Sequence, residues 1–323
     1  YSRKRKSLLS WLIMDSNKAR FDLILRIAIF VLAMMNISKL ISVNSLLHAQ
    51  TNSVVLKESC QSSPPKNPAQ IGKFQFDSQG FLSSNQDLLP GIPFPKGMMP
   101  PEVEAFLELR DNVYENAAPE SVEAQAVSLL KRLSSLPISI SNQALLEARI
   151  AYLVGRAWND HKDKNKAIPW FERAVEAAQR MINLEGETPT ALVVLAEPLG
   201  ELSILKDLGF LIKNGPKVGQ YASKALELDP KNIKAWLLKA SALAYPPPIW
   251  GGNYKKALET YASVLLIAQN GLPKDVLFDL RVGIATAYSN LKLSEHATWW
   301  FDAALLLYPK NLYAKSELEK LSL

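Results

Sequence analysis

The chain of 323 residues is 48% hydrophobic and 21% charged, the proportions of one or two globular domains with a proper core, which excludes disorder throughout. Its net charge of +6 invites a nucleic-acid reading, yet residues 1–49 hold eight Lys or Arg against two Asp, and the remainder carries equal numbers of basic and acidic side chains. A neutral body lacks the basic footprint that phosphate binding requires, so no nucleic acid is expected as a partner.

Residues 1–49 have the layout of an export signal: basic residues precede an apolar run over 27–35, and the stretch closes on Leu47, His48, Ala49 and Gln50. A start at Met14 gives a more conventional length. Ala49 suits the position before a cut, whereas Leu47 is larger than the residue preferred two places earlier, so an uncleaved inner-membrane anchor is the alternative. Asn36, Ser38 and Lys39 break the apolar run short of the roughly 20 residues a bilayer needs, which favours a signal peptide. The expected location is the periplasm or cell envelope, with the basic flank cytoplasmic and membrane contact only through this segment.

Residues 50–100 read as a Pro/Ser/Gln-rich linker, from "CQSSPPKNPAQIG" to "LLPGIPFPKGMMPP". Phe74, Phe76, Phe81 and Phe94 give it material to strap onto the following domain or to bind a partner. Cys60 is the only cysteine, so no intrachain disulfide forms, and Lys57, Glu58 and Ser59 before it suit a linker thiol rather than a lipid attachment site.

From residue 101 the chain is helical and repetitive. Residues 101–147 are expected to form an N-terminal helical cap, and 148–323 a solenoid ending in a capping helix over 312–321. Gly155, Trp158, Ala167, Phe171 and Ala174 share one internal spacing with Ala285, Tyr288, Ala297, Phe301 and Ala304, the last followed by Pro309. Small residues stand where two helices cross and large ones fill the space beside them. These positions resemble the tetratricopeptide repeat (TPR), a helical hairpin of about 34 residues. The resemblance implies an all-α, right-handed solenoid of about four hairpins, over 148–181, 189–232, 233–270 and 278–311. "LDPKN" and "YPKN" end hairpins, and Trp236 takes the family's tryptophan position.

Two copies are too long. From Gly155 to Ala167 and from Ala285 to Ala297 the markers stand 12 apart, but Ala240 and Ala257 stand 17 apart, and Ala196 and Val218 stand 22 apart. In the third copy the extra residues fall in "YPPPIWGGN", an elongated turn with Asn253 as the cap of the next helix. In the second they fall in "LKDLGFLIKNGPKVGQ", read as another long turn with Gly215 and Pro216 opening helix B. Two long turns side by side form a candidate binding edge that includes Trp250; the alternative makes Trp250 and Phe210 lids over the core.

The concave face is the second candidate surface. The family's outward positions fall on Arg149, Tyr152, Arg156 and Asn159, then Val193, Glu197 and Glu201, then Leu237, Ser241 and Tyr245, and last Thr286, Ser289 and Asn290. Arg149 and Arg156 are suited to a carboxylate or acidic tail, or to pairing with Glu197 and Glu201 on the neighbouring copy. The set is not the Lys/Asn/Arg clamp of chaperone-binding members. The expected partner-binding residues are therefore Arg149, Tyr152, Arg156, Asn159, Glu197, Glu201, Tyr245 and Trp250.

His48, His161 and His296 have no metal-ligand spacing, phosphate loop or serine elbow around them, and Glu102 and Glu104 fall on a solvated helix face, so no catalytic residue, metal or cofactor is expected. The long helical domain and its "GGN" insertion are similar to exported TPR proteins that partner the substrate-binding component of TRAP-type transporters, although their lipid-anchor cysteine is missing. That resemblance implies an exported, non-enzymatic scaffold for protein–protein interaction, accessory to a transporter. Self-association stays open, and the alternative function is a periplasmic carrier of a small apolar ligand held between the groove and the inserted turns.

Overall fold

The computed structural model describes residues 101–136, 138–268 and 272–322. The leader, Cys60 and the linker lie outside the described residues. Among those described there are eleven α-helices and no strand: α1 Pro101–Tyr114, α2 Pro119–Leu133, α3 Ile140–Asp160, α4 Lys164–Glu185, α5 Pro189–Leu205, α6 Leu208–Leu228, α7 Ile233–Ala244, α8 Tyr254–Ile267, α9 Lys274–Asn290, α10 Ser294–Leu305 and α11 Leu312–Leu321.

Local chemistry sets most of the starts. Ser139, Asp163, Thr188, Asp207, Asn232, Asn253 and Asn311 each accept a hydrogen bond from the backbone N–H three residues on, satisfying a donor that the first turn leaves open. Lys162 and Lys292 adopt left-handed φ values of 66° and 63° at matching points of the α3–α4 and α9–α10 turns. That shared turn geometry is the backbone counterpart of the shared spacing.

The helices pair as antiparallel hairpins, α3 with α4, α5 with α6, α7 with α8 and α9 with α10, the first of each pair being helix A and the second helix B. Ala167, Phe171, Ala174, Ala285, Ala297, Phe301 and Ala304 are all fully buried, as the spacing predicts. Gly155 is needed where α3 crosses α4, because a Cβ there would stand 2.7 Å from the Phe171 ring. Helices α1 and α2 form one more hairpin of the same design. Val122, Ala126 and Leu129 on α2 repeat the spacing of Ala167, Phe171 and Ala174 and are equally buried.

That first hairpin does more than cover an end. Tyr308 donates to Asp111 at 2.8 Å, the Asn311 amide donates to the Tyr114 carbonyl at 3.1 Å, and Arg110 pairs with Asp275 at 3.0 Å. Tyr114, Phe278 and Tyr308 stack in a mutual cluster, with ring centroids 4.8 to 5.4 Å apart. Helix α1 thus packs on α3 and also on the last full hairpin, and the solenoid closes on itself.

The two long copies diverge. In the third, the extra residues form a turn as expected. Pro248–Trp250 make one 3₁₀ turn, Gly251 takes φ 94°, and the Asn253 N–H donates to the Leu243 carbonyl at 2.9 Å to close the loop. Gly252 leaves no room for a side chain, since a Cβ would lie 1.8 Å from the Pro246 carbonyl oxygen.

The second copy has no long turn. Only Lys206 and Asp207 separate α5 from α6, and Gly215 and Pro216 lie inside α6 rather than at its start. The reason is local: the Asp207 carboxylate accepts from the Phe210 N–H at 3.0 Å and starts the helix two turns early. Pro216 then removes one internal bond, to the carbonyl of Ile212, but both residues are exposed and water reaches that group. The extra length is a longer hairpin. The lid reading also fails for Trp250, which is 44% exposed beside Ile249 at 69%.

Candidate functional site

The A helices α3, α5, α7 and α9 lie side by side and line the concave face. On α3, Arg149, Tyr152, Arg156 and Asn159 fall along one stripe, as their spacing of three and four requires. The neighbouring copy consumes part of it: Arg149 ion-pairs with Glu197 of α5, and Asn159 reaches Glu201 at 3.5 Å. Val193, expected on this face, is instead 1% exposed in the core beside Leu192.

Arg156 is the centre of the face. Its Nη1 donates to the Tyr114 hydroxyl at 3.0 Å and lies 3.7 Å from an Asp279 carboxylate oxygen, while its guanidinium sits 4.8 Å over the Tyr114 ring. Tyr114 in turn donates to Asp279 at 2.8 Å. Burial, reinforced by the Asp279 carboxylate, pushes the Tyr114 phenol well above its usual range, so it keeps the proton it donates.

Two carboxyls of this face titrate late. Burial raises Glu201 to about 6, against the pull of Arg156 and a hydrogen bond from Tyr152. Burial likewise raises Asp279 to about 6; Asp275 adds to the shift, and Arg156 and the Tyr114 hydroxyl oppose it. The groove therefore gains positive charge on mild acidification. Further along, Tyr245 and Tyr313 hydrogen-bond Thr286, and the Asn290 amide donates to the Ala244 carbonyl at 2.9 Å. Tyr245 is 42% exposed, so it offers a surface to a partner; Ser241 is engaged at 3.1 Å with the hydroxyl of buried Tyr261. Trp250 belongs to the turn edge, away from this network.

Sequence reasoning omitted Asp279, Tyr114 and Tyr313. Asp279 stands six before Ala285, as Arg149 stands six before Gly155, so laying the α3 pattern on α9 finds it. Tyr114 becomes visible the same way once α1 and α2 are recognised as a hairpin. No comparable signal marks Tyr313, which lies on the capping helix.

His161 hydrogen-bonds the Ala157 carbonyl at 2.9 Å, and His296 packs on Tyr288 with ring centroids 5.1 Å apart. Among the described residues no three His, Cys, Asp or Glu side chains gather as a metal-ligand set, and no helix is long and apolar enough to cross a membrane.

Repeated hairpins with small residues at their crossings and A helices lining a concave polar face define a TPR-like helical solenoid. No protein-family model and no curated protein matches the chain. Among solved structures it is similar to TTC0263, a thermophilic TPR protein of Thermus thermophilus, at 16% identity and TM-score 0.45, over 68% of this chain and 98% of that one. It is also similar to YrrB, a TPR protein with an unusual peptide-binding site, at 18% identity and TM-score 0.31, over the same shares.

Proposed function

We propose that this chain is an exported, non-enzymatic scaffold of the cell envelope that holds a protein partner against its concave face. One observation carries the reading: Tyr114, Tyr152, Arg156, Glu201 and Asp279, drawn from four hairpins, converge in one network whose two carboxyls are shifted to about 6. Carboxyls raised by burial beside a charged partner concentrate at functional sites. A guanidinium, two carboxyls and the exposed ring of Tyr245 nearby suit a charged polypeptide segment better than a small apolar molecule, which is why a protein partner is preferred to the carrier role. The leader supports export, with the scaffold released if the leader is cleaved and tethered if it is retained as an anchor. The transporter-accessory role rests on the sequence resemblance alone.

The test is a crosslinking pull-down from the native cell envelope with wild type, Glu201→Gln and Tyr245→Ala, neither of which removes a core side chain. Loss of one specific partner from both variants is expected. Retention by both refutes the groove as the recognition surface, and a captured partner unrelated to transport overturns the accessory role.

A further inference from the structure

The C-terminal ends of the A helices lie next to one another. Asn290 at the end of α9 bonds Ala244 at the end of α7, and Asn159 near the end of α3 reaches Glu201 near the end of α5. The turns that follow these four helices therefore line one edge of the solenoid, beside the groove rather than within it.

Two adjacent turns protrude from that edge. Helix α6 starts ten residues before Val218, whereas α4 starts three before the equivalent Ala167. Helix α5 in turn runs nine residues past Ala196, against five past Gly155 on α3, so at about 1.5 Å per residue the α5–α6 tip extends roughly 6–10 Å further. Beside it stands the closed 245–253 turn. Both carry large apolar side chains in solvent: Ile204 is 75% exposed, Leu208 50%, Ile249 69% and Trp250 44%, and Leu293 on the next turn is 45% exposed. The backbone bonds of Trp250 to Pro247 and of Asn253 to Leu243 hold the Ile249 and Trp250 tip in one shape, so little entropy is lost when it docks.

The same edge is basic. Within 160–166, 204–213, 245–256 and 290–296 there are eight lysines and four carboxylates. The turns of the opposite edge (134–143, 181–190, 226–234, 266–276 and 305–315) hold five lysines and five carboxylates, so the excess is local. Lys166 pairs with Asp163 and Lys206 with Glu172; among the described residues the other six lysines make no ion pair.

We propose that this edge is a docking surface for an anionic lipid bilayer. Ile204, Leu208, Ile249 and Trp250 enter the interfacial layer, and the flanking lysines meet anionic headgroups. Interfacial elements bury their apolar face about 5–10 Å deep, the depth that the protruding tips reach, and each nearby lysine adds attraction that salt screens. A scaffold seated this way keeps its groove open to a partner at the membrane surface. The residues of this edge all lie outside 1–49, so this contact does not depend on the leader being retained.

The test uses the full chain with Cys60→Ser and an environment-sensitive fluorophore on Ile249→Cys, or on Leu228→Cys at the opposite edge. Each protein is titrated with vesicles of phosphatidylcholine, alone or mixed with phosphatidylglycerol. The probe at 249 is expected to shift to the blue with the anionic vesicles only. The response should be weakened by salt and reduced at least tenfold in apparent affinity by Ile204→Ser with Leu208→Ser, while the probe at 228 stays unchanged. Co-sedimentation with a silent probe at 249, or equal responses at both positions, places membrane contact in the leader alone and overturns the proposal. A concentration-dependent shift at 249 without lipid identifies a second copy of the chain as the occupant and overturns it as well. Circular dichroism of the double serine variant should match wild type, because both side chains are exposed.

Discussion

Replacing Tyr114 by Phe removes one hydroxyl and nothing else, and it tests both the groove network and the closure of the solenoid. That hydroxyl accepts from Arg156 at 3.0 Å and donates to Asp279 at 2.8 Å, on a residue only 4% exposed. A hydrogen bond to a charged group contributes about 1.5–3 kcal/mol when buried. Asp279 is half-open to solvent, and it and Arg156 still face each other at 3.7 Å once the hydroxyl is gone, so the expected net loss is about 1–2 kcal/mol. The ring still packs on Phe278 and Tyr308, so the fold should persist. Urea unfolding of wild type, Tyr114→Phe, Asp279→Asn and the double variant reads the loss and the coupling, which should be about 0.5–1 kcal/mol. The Asp279 carboxyl, followed by NMR, should move above its value of about 6, because the hydroxyl it loses favours the ionised form. Additive losses with an unmoved Asp279 carboxyl would falsify the network.

Glu201→Gln should stabilise the protein at pH 8 by about 1 kcal/mol, allowing for solvent in the groove. A carboxyl raised from 4.5 to about 6 on folding holds its proton more tightly in the native state. Its ionisation therefore costs stability increasingly as pH rises through that window, and the advantage of the variant should vanish below about pH 4.5. Chemical denaturation at several pH values checks this; an advantage independent of pH refutes it. Pro216→Ala should raise the melting temperature, since it restores the bond to Ile212 within α6, whereas a proline opening a helix would give no gain. Gly155→Ala should cost about 1–3 kcal/mol, because the ring its Cβ meets at 2.7 Å is fully buried Phe171; a neutral result means that α3 and α4 can separate freely. Gly252→Ala should disrupt the 245–253 turn, as the clash at 1.8 Å is with backbone, and protease cleavage there measured against wild type reads it directly.

Which features could be read in advance depends on how far their causes reach along the chain. The Gly155–Phe171 crossing is written in residues sixteen apart, because a helix pair can approach closely only where one side chain is small or absent, and the last copy sets Ala285 sixteen before Phe301 in the same way. The third-copy turn is equally readable, since three prolines and two glycines leave the backbone few alternatives. The second copy misleads because a Gly-Pro pair has two physical meanings. It opens a helix when nothing upstream supports one, and it sits harmlessly on an exposed helix face when a cap such as Asp207 has already started the turn. The decisive signal there was the carboxylate three residues before Phe210, a weaker mark than proline. The pairing of Arg149 with Glu197 joins adjacent copies and was legible on that account.

The closure was not legible, and it changes what the groove contains. The bonds from Tyr114 to Asp279 and from Tyr308 to Asp111 span 165 and 197 residues, and nothing in a local pattern records them. Read as a cap, the first hairpin only shields apolar surface. Folded back on α9 and α10, it supplies Tyr114 to the groove and places Arg110 against Asp275, so residues that looked terminal become part of the concave wall. A partner engaging that wall touches both ends of the solenoid at once. Groove occupancy and closure are then coupled, and a partner that binds the closed form should slow the unfolding of α1 as measured by hydrogen exchange. Unchanged exchange over 101–114 in the presence of a groove-bound partner would show that the two ends act independently.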